Sequence, residues 1–383
     1  MKVLIVYHAG AMENSRQIYK LLAKGSNIEI TVIVPQKLKA DRVYDSTGWL
    51  RVEQEDSCEG YRLIPIPLRN PFNYEEGFES LPLRQLIKRT HPDIIHVMDE
   101  PTSGYLFQVV WQRLVASPRS KVLFYGFENH PIRLPKLHYV VWRLTWGQVA
   151  GGAAANSEAL ENLKRAGFPK NRPLERIFWG ITTDVFKPMD GLALKKELDL
   201  DYEHIVGFVG RLVPEKGLMV LLAAVRNLPA SVHCLIIGSG PMRAELELWS
   251  DFPGLTGRIH MYDVMKPETL VKYMNCMDVL VIPSLTTPNW KEQYGRVIGE
   301  AMSCGVPVVG SDSGGIPEVI GPAGLIVPEG DVSKLARALQ TAIFDGEVRL
   351  GLVQQGLQRA EHELSTRAMV QRLLEFYNKI LGS

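Results

Sequence analysis

The stretch DVLVIPSLTTPNWKEQYGRVIGEAMSCGVPVVGS, residues 278–311, decides the fold of this chain. It begins with the apolar run 278–284 and ends with the apolar run 306–311, both rich in Val and Ile. Between them, Gly295 stands at the predicted start of a helix. A strand, a helix and a second strand in this order predict a βαβ unit with parallel strands.

The same alternation of short apolar runs and amphipathic segments extends over the rest of the chain. In the first half, strands are predicted at 2–8, 28–35, 61–67, 93–99, 121–127, 151–157 and 175–180. In the second half, they are predicted at 204–211, 233–240, 278–284, 306–311 and 324–328. Helices are predicted at Arg16–Lys24, Leu83–Thr90, Ser157–Ala166, Lys334–Ile343 and Thr366–Leu381. The fold class is therefore α/β, with two doubly wound parallel sheets.

Composition narrows the class of protein. A chain of 383 residues, 46% hydrophobic and 22% charged, suits a soluble protein of two domains. A formal net charge of +1 argues against a protein that holds nucleic acid by bulk electrostatics, although it leaves room for a local basic patch. The apolar run after Lys2 is too short for a signal peptide, and no later run reaches the roughly 18 apolar residues of a membrane span. We expect a cytoplasmic protein.

The cysteines give no sign of a metal site. No two of them have the spacing of a zinc ligand pair, and no His/Cys cluster accompanies them. Four scattered thiols indicate a reducing compartment. They are Cys58, Cys234, Cys276 and Cys304. We expect no metal and no cofactor.

The segment 181–192 is the predicted domain junction, because Pro188 and Gly191 interrupt the periodicity there. Two open α/β sheets imply a cleft between them. Ligands of such folds bind beyond the carboxyl ends of the strands, so the strand-to-helix turns are the places to search for chemistry.

The strongest motif follows the strand 278–284. It supplies Glu292, then Gly295 at the helix start, then Glu300 inside the helix. A helix start offers unpaired N–H groups and a positive dipole end that bind phosphate, and a glycine lets the backbone approach an anion. Glu300 could hold a ribose diol. The alternative is that both carboxylates are solvated surface groups.

A second motif, GFVGRLVPEKGL at 207–218, places Arg211 and Lys216 just after a strand that runs into Gly210. Two fixed cations at this position suit a diphosphate. The alternative is two exposed cations on a turn.

A third motif, IIGSGPMRAEL at 236–246, begins like a dinucleotide fingerprint, with Gly238 and Gly240. Arg243 occupies the third glycine position, where a side chain prevents tight helix–strand packing. We therefore do not expect NAD binding, although the turn could still lie near a ligand.

The first half offers weaker candidates at the ends of its strands. His130 follows the strand 121–127, and Asp99 and Glu100 follow the strand 93–99. Gly10, in the loop after the first strand, could let backbone amides meet a ligand. A lone histidine is more often a packed or surface residue than a catalytic one, but the position of His130 at the carboxyl end of a strand makes the two alternatives equal.

A basic and aromatic stretch lies between Pro101 and Ser157. It holds six Arg or Lys residues and one acid, Glu128, with Tyr139, Trp142 and Trp146 interleaved. Such a composition can lie on an anionic membrane, which predicts a peripheral membrane contact through residues 113–146 at the inner face of the membrane. The alternative is a solvated helix face with buried tryptophans.

The second half as a whole resembles the retaining GT-B glycosyltransferases, in particular glycosyltransferase family 4 (glycosyl transferases group 1). Family-like segments follow one another in the family's order. They are GITTDVFKP (180–188), GRLVPEKG (210–217), GSGPMRAEL (238–246), KEQYGRVIGEAMSCGVPVVGSDSGGIPEVI (291–320) and GLIVPEGD (324–331). The first half matches more loosely, through its strand pattern, His130 and NSEAL at 156–160. Thr182 replaces the usual Asp, and Gln293 and Tyr294 replace residues that are usually small or Phe.

The resemblance implies a domain organisation. It gives a Rossmann-like acceptor-side domain at 1–187, a Rossmann-like nucleotide-sugar domain at 188–364 and a final helix, 365–383, that packs back on the first domain.

The resemblance also implies a reaction and a set of roles. A sugar would move from a nucleotide-diphosphate sugar to a hydroxyl of a glycan, lipid-linked or small-molecule acceptor, with retention and without a metal. The catalytic residues would be His130, Arg211, Lys216 and Glu292. The donor-binding residues would be Gly10, Gly210, Gly240, Val264, Tyr294, Gly295, Arg296, Val297 and Glu300.

Two other functions remain open. A GT-B nucleotide-sugar epimerase would need acids and histidines placed for elimination, and the Glu292–Glu300 motif is not its signature. A transferase-like binding subunit without turnover would not need Arg211 and Lys216.

Overall fold

The computed structural model describes residues 1–24, 28–39, 49–57, 60–132, 136–200 and 202–382. Cys58 lies outside the described residues. The chain divides into two compact units, one of Met1–Ile177 with Met369–Ser383 and one of Phe178–Ala368. The boundary predicted after residue 187 lies inside the second unit.

The first unit is built on a seven-stranded parallel sheet. Its strand order is β5-β2-β1-β6-β7-β8-β9, and β3 and β4 form a separate antiparallel pair. The strands are β1 (Lys2–Val6), β2 (Glu29–Pro35), β3 (Lys37–Lys39), β4 (Trp49–Arg51), β5 (Tyr61–Ile66), β6 (Ile94–Val97), β7 (Lys121–Gly126), β8 (Gly151–Ala154) and β9 (Leu174–Arg176). The seven strands predicted from the apolar runs of this half are confirmed. The short β3–β4 pair was not predicted.

Five helices connect these strands: α1 (Gln17–Lys24), α2 (Ser80–Thr90), α3 (Gly104–Ala116), α4 (Lys136–Gly147) and α5 (Ser157–Arg165). The connections β5–α2–β6, β6–α3–β7 and β7–α4–β8 all advance in one direction across the sheet. Right-handed crossovers in one direction place their helices on one face of a sheet, so α2, α3 and α4 form a layer there. Their inner sides pack with β6 and β7 in one apolar core.

The second unit is a six-stranded parallel sheet in the order β12-β11-β10-β13-β14-β15. Its strands are β10 (His204–Val209), β11 (Val232–Ile237), β12 (Ile259–Tyr262), β13 (Val279–Ile282), β14 (Val308–Ser311) and β15 (Leu325–Val327). Its helices are α6 (Gly191–Glu197), α7 (Leu218–Arg226), α8 (Arg243–Ser250), α9 (Pro267–Asn275), α10 (Arg296–Ser303), α11 (Ile316–Ile320), α12 (Val332–Phe344) and α13 (Gly346–Arg359). The strands of the opening stretch, β13 and β14, are parallel neighbours as predicted. The edge strand β12 was not predicted, because its side chains are half-buried and it lacks a long apolar run.

The last helix, α14 (Thr366–Gly382), belongs mostly to the first unit, since the residues from Met369 onward cluster there. Its apolar side chains Met369, Leu373, Phe376 and Ile380 are buried, whereas Leu381 in the last turn is exposed.

Tyr377, which the sequence pattern did not single out, fixes α14 to the first unit. The Tyr377 hydroxyl and His96 Nδ1 on β6 are 2.6 Å apart in a buried hydrogen bond. Among the described residues, no helix combines the length and apolar character needed to cross a bilayer.

Candidate active site

The predicted donor-side residues of the second unit follow one edge of its sheet, where its parallel strands end. Val264 follows β12, Gly240 follows β11, Arg211 and Lys216 follow β10, and Glu292 follows β13. Because neighbouring parallel strands end at the same edge, the fold brings these turns side by side. Residues from motifs that are far apart in the sequence therefore lie in a row along this edge of the sheet.

The central contact of this edge is an ion pair between two neighbouring turns. Lys216 Nζ lies 2.5 Å from Glu292 Oε2, and both side chains are largely buried, with 16% and 10% of their surfaces exposed. Ser284 Oγ donates to the same carboxylate oxygen at 3.1 Å. The interpretation of Glu292 as a solvated surface group is thus wrong, because the cation and the hydroxyl hold it in place.

The Trp290 ring lies beneath the lysine of this pair. Lys216 Nζ is 4.9 Å from the ring centroid, within the range of a cation–π contact. Arg211 is different, since its guanidinium is 46% exposed and its carboxylate neighbour Glu215 lies 3.7 Å away. This half-exposed, weakly paired guanidinium beside a buried ion pair leaves positive charge available for an anion.

Two glycines give the backbone conformations that this edge requires. Gly295 has φ +76° and precedes the first residue of α10, and left-handed backbone of this kind favours glycine. A Cβ on Gly240 would lie 2.4 Å from the Leu212 carbonyl oxygen, so only glycine allows this approach. The Gly210 amide donates to Ile237 O at 3.0 Å, which extends the strand pairing to the edge.

The start of α10 presents its first amides at this edge. The Ile298 N–H donates to Gly295 O at 2.9 Å, and the Arg296 and Val297 amides precede it in the first turn, where N–H groups have no partner within a helix. Their position at the positive end of the helix dipole suits a phosphate group.

Glu300 is buried in the second turn of α10. Burial raises the pKa of its carboxyl, and the Arg296 guanidinium, 3.8 Å away, opposes that rise. The interpretation of Glu300 as a solvated surface group is therefore wrong.

Tyr294 turns its side chain inward. Its hydroxyl donates to the Trp179 carbonyl at 2.8 Å, and burial raises the pKa of this phenol. Only the backbone of Tyr294 can then serve the predicted donor site. The side chain instead holds the loop before α10 in place, which accounts for a large polar aromatic residue at this position.

Val264 lies at the outer end of the row, two residues after β12, and its side chain is 52% exposed. Next to it, Asp263 Oδ1 accepts from Arg243 Nη1 at 2.7 Å. Arg243, which occupies the third position of the incomplete dinucleotide fingerprint, thereby connects the β11 and β12 turns.

Sequence reasoning missed a cluster of hydroxyl groups at the same edge. Thr286 Oγ1 and Ser313 Oγ lie 3.0 Å apart, and Thr286 also donates to Glu329. Ser311 Oγ donates to Ser284 O at 2.6 Å, which joins the ends of β13 and β14. Ser284 could have been found, since a serine at the end of an otherwise apolar strand is an available signal.

The first unit has its own row of polar groups where its strands end. His130 is half-buried after β7, and its backbone N–H donates to Glu128 Oε1 at 2.8 Å. Within the described ranges, His130 Nε2 has no hydrogen-bond partner. Asn162 Nδ2 donates to Asn129 O at 2.8 Å and holds this loop against α5. The structure thus fixes the backbone of His130 and leaves one ring nitrogen unused.

Two acids after β6 are bound in different ways. Asp99 Oδ2 lies 3.1 Å from His8 Nδ1, whose ring stacks on Tyr74 at 4.2 Å between centroids. Glu100 Oε1 accepts from the backbone N–H of Phe127 at 2.7 Å, and a second N–H from Glu128 approaches the carboxylate. Burial raises the pKa of Glu100 to about 7, although these two N–H donors oppose the rise.

The amide of Gly10 itself is not open to a ligand. It is buried, and its N–H donates to Tyr7 O at 3.3 Å. A Cβ at Gly10 would lie 3.0 Å from Val34 Cγ1. Its carbonyl accepts from Arg16 Nε at 2.9 Å, so the glycine packs the first loop against β2 instead.

The basic, aromatic stretch also needs correction. Arg113 is buried, because its guanidinium donates to Pro118 O at 3.1 Å and to Gln148 O at 2.8 Å. Trp142 and Trp146 are buried as well, and Trp146 Nε1 donates to Pro101 O. These three residues of the predicted membrane contact at 113–146 therefore face the core, and Arg133 lies outside the described residues.

No group of three or more His, Cys, Asp or Glu side chains is placed to hold a metal ion within the described part of the chain. Cys234, Cys276 and Cys304 are buried free thiols.

Residues 203–345 match the family model described as glycosyl transferases group 1. A 2-deoxystreptamine glucosyltransferase of Streptomyces kanamyceticus is 29% identical over 202 residues, which cover 51% of this chain and 51% of the relative. A D-inositol 3-phosphate glycosyltransferase of Corynebacterium jeikeium is 30% identical over 217 residues, covering 52% of this chain and 50% of the relative. The chain thus spans about half the length of the curated relatives it matches.

Solved structures match over the whole chain. Sucrose-phosphate synthase from Thermosynechococcus elongatus aligns with a TM-score of 0.75 at 19% identity, over 100% of this chain and 99% of the other. Anabaena HepE in complex with UDP aligns with a TM-score of 0.76 at 18% identity, over 99% and 100%. At such identities the likeness shows the fold, and it confirms the predicted α/β class with two Rossmann-like halves.

Proposed function

Because residues 203–345 of this chain match the family model of glycosyl transferases group 1 and the whole chain has the GT-B fold, we propose that it is a retaining glycosyltransferase. It transfers a sugar from a nucleotide-diphosphate sugar to an acceptor hydroxyl, without a metal. The acceptor belongs to a glycan, a lipid-linked sugar or a small molecule. The names of the two relatives, which specify 2-deoxystreptamine and D-inositol 3-phosphate, support a hydroxylated ring.

The observation that carries this proposal is the grouping of Lys216, Glu292 and the start of α10 at the ends of the adjacent strands β10 and β13. A cation and helix-terminal amides at one sheet edge match the charge of a diphosphate. Arg211, on the same turn as Lys216, adds a second cation.

The charges fit the chemistry of the bond that breaks. Cleavage of a glycosyl–diphosphate bond moves negative charge onto the departing phosphate, and fixed cations aimed at that oxygen favour the transition state over the ground state. Arg211, Lys216 and the amides of Arg296 and Val297 take this role. Glu300 binds the ribose of the nucleotide, and Val264 lies near the base.

The hydrogen bonding of Glu292 bears on the stereochemistry. One of its carboxylate oxygens already contacts Lys216 and Ser284, so it is better placed to hold hydroxyls of the donor sugar than to attack the anomeric carbon. A retaining enzyme without a free carboxylate nucleophile can transfer the sugar on one face, with the departing phosphate accepting the proton of the acceptor hydroxyl.

The first test is a panel of labelled UDP-, GDP- and ADP-sugars, with release of nucleoside diphosphate and of free sugar measured separately. The proposal expects one donor class to be cleaved, slowly to water and faster with a suitable acceptor. An epimerase would change the sugar configuration of the panel donor, which sugar analysis would detect. A binding subunit would bind a panel member without turnover, and either result would contradict the proposal.

Metal independence has its own test. Dialysis against EDTA is expected to leave release of nucleoside diphosphate unchanged, because Arg211, Lys216 and the amides of α10 neutralise the phosphate. Loss of activity in EDTA with rescue by Mn²⁺ or Mg²⁺ would contradict this part of the proposal and leave the transferase assignment intact.

A further inference from the structure

The helix layer of the first unit exposes many apolar side chains. Of the seventeen large hydrophobic residues exposed in the described chain, seven lie on α2, α3 and α4. They are Leu81, Phe107, Trp111, Val115, Tyr139, Val140 and Leu144. Single exposed apolar residues are ordinary, but a concentration on one face of a protein marks an interaction surface.

The exposed residues of α3 and α4 form ridges along their helices. Phe107, Trp111 and Val115 are spaced four residues apart and so follow one side of α3, with Trp111 and Val115 exposed by 41% and 70%. Val140 and Leu144 form the same pattern on α4, exposed by 55% and 58%.

The two ridges adjoin. The Phe107 ring lies 6.1 Å from the Trp111 ring and 6.1 Å from the ring of Trp142, which is the buried anchor of α4. On the other side, Arg84 Nε of α2 donates to Gln112 Oε1 of α3 at 2.7 Å. The three helices therefore present one outer surface, which we call the α2–α4 face.

The three helices of the α2–α4 face carry side-chain charges of one sign only. None of the three helices contains an Asp or a Glu over its whole length. Exposed cations on or beside them are Arg84, Lys88, Arg89, Arg119 and Arg143. Arg89 is partly offset by Glu55 at 3.6 Å, and the neighbouring helix α5 carries Glu158 and Glu161. The three helices themselves thus present cations and no acid around two apolar ridges, and the exposed Glu79 precedes the first residue of α2.

We propose that the α2–α4 face binds the surface of an anionic lipid bilayer. Cations that rim exposed aromatic and aliphatic side chains match a layer of anionic headgroups above an acyl boundary. A second copy of the chain is a poor occupant, since a two-fold contact would place the cationic face against itself. A nucleic acid could contact the cations and the aromatic rings, but it has no apolar surface to bury the aliphatic side chains of Val115, Val140 and Leu144.

This assignment changes which residues make the membrane contact. Arg113, Trp142 and Trp146 support the helices from inside, and Trp111, Leu144 and Arg84 act on the surface. The proposal does not depend on the reaction of the second unit, because it rests on residues of the first unit alone. It would favour the lipid-linked class among the proposed acceptors.

Co-sedimentation of the full chain with phosphatidylglycerol–phosphatidylcholine vesicles tests the proposal. Binding is expected at low salt, with less binding at high salt and to pure phosphatidylcholine, because attraction to the surface is screened within about 10 Å at 0.1 M salt. The double variant Trp111→Ser/Leu144→Ser should lower the partition coefficient about 10-fold or more, since it removes two insertable side chains. Arg84→Ala/Lys88→Ala should lower binding to anionic vesicles and reduce its salt dependence.

The matched control is Leu248→Ser/Phe252→Ser, which removes two exposed apolar side chains from the second unit, and it should bind vesicles like the native chain. Circular dichroism and release of nucleoside diphosphate check that each variant is folded. No binding to anionic vesicles at low salt, or equal loss in the control, would overturn the proposal. A concentration-dependent dimer that Trp111→Ser/Leu144→Ser abolishes would assign the face to a second copy instead.

Discussion

The two units have the same doubly wound parallel architecture, yet their sheet edges are chemically different. At the edge of the second unit, opposite charges meet directly, as in the buried pair of Lys216 and Glu292. At the edge of the first unit, backbone amides hold the carboxylate of Glu100, and an imidazole accompanies Asp99. The second edge therefore keeps fixed cations in place for an anion, and the first holds a buried carboxyl, Glu100, whose pKa burial raises to about 7.

This contrast shows how one scaffold can carry two kinds of site. The strand ends position the groups in both units, and the turn sequences decide what is positioned. In the second unit, glycine turns bring backbone and cations close together. In the first unit, asparagines and an aromatic stack hold a histidine-containing loop and a histidine–aspartate pair. This contrast supports the proposal that the second unit binds the donor and the first unit binds the acceptor.

The largest effect should come from the exposed cation of the second edge. Arg211→Ala is expected to lower kcat/KM for the nucleotide sugar by about 10²–10³-fold, because it removes a charged donor from the leaving group. Steady-state release of nucleoside diphosphate measures this. Lys334→Ala, at another exposed cation of the same unit, serves as the control and should be near native. Equal activity of the Arg211 and Lys334 variants would contradict the role of Arg211 in stabilising the leaving group.

The buried carboxyl of the first edge should make stability depend on pH. The pKa of Glu100 is raised from 4.5 to about 7, so between these values the folded chain holds a proton that the unfolded chain has lost. The free energy of unfolding of the first unit should therefore fall as pH rises through this window, by about 3 kcal/mol in total, and level off above it.

Glu100→Gln should flatten that dependence, since its amide does not ionise and its oxygen can still accept from Phe127. Hydrogen exchange of the buried β7 amides reports on this unit separately from the other. Parallel pH profiles for the native chain and the variant would show that Glu100 is not the titrating group.

The histidine of the first edge should affect turnover more than donor affinity. His130→Ala is expected to lower kcat by about 10–100-fold through loss of positioning, with the dissociation constant of the nucleoside diphosphate nearly unchanged. Exposed His138 of the same unit provides the control variant, His138→Ala. If His130→Ala weakened nucleotide binding as much as Arg211→Ala does, His130 would belong to the donor site.

The smallest effect should be on stability, from the loss of one buried hydrogen bond. Tyr294→Phe removes the buried hydrogen bond to the Trp179 carbonyl and should destabilise the second unit by about 1–2 kcal/mol. Urea unfolding would measure this change. Tyr139→Phe, at an exposed helix surface, should stay within about 0.5 kcal/mol of the native chain. Equal stability of the two variants would show that the buried hydrogen bond adds nothing.

The sequence predicted those features that depend on residues close together in the chain. The βαβ order of β13, α10 and β14 follows from apolar runs, and the positions of Lys216 and Glu292 follow from turns adjacent to predicted strands. Tyr377 illustrates the opposite case, because its partner His96 lies in a distant strand and no local pattern connects them.

The failures have similar physical causes. Arg113 has the pattern of a surface cation, but two carbonyls from other segments bury it. Gly10 suggested an open loop, but the loop packs against β2, and the Arg16 side chain donates a hydrogen bond to the Gly10 carbonyl. Charge and periodicity therefore cannot predict side-chain burial that depends on tertiary partners. The residues of the proposed membrane contact became visible only on the folded α2–α4 face.

The central claim, that the second unit binds the donor through its cationic edge, is tested most directly by calorimetric titration with UDP, GDP and ADP. One nucleoside diphosphate should bind the native chain, with affinity close to native for Glu100→Gln and His130→Ala and much reduced for Arg211→Ala. The absence of binding by all three nucleotides would contradict the claim. So would a binding loss in the first-unit variants equal to that of Arg211→Ala.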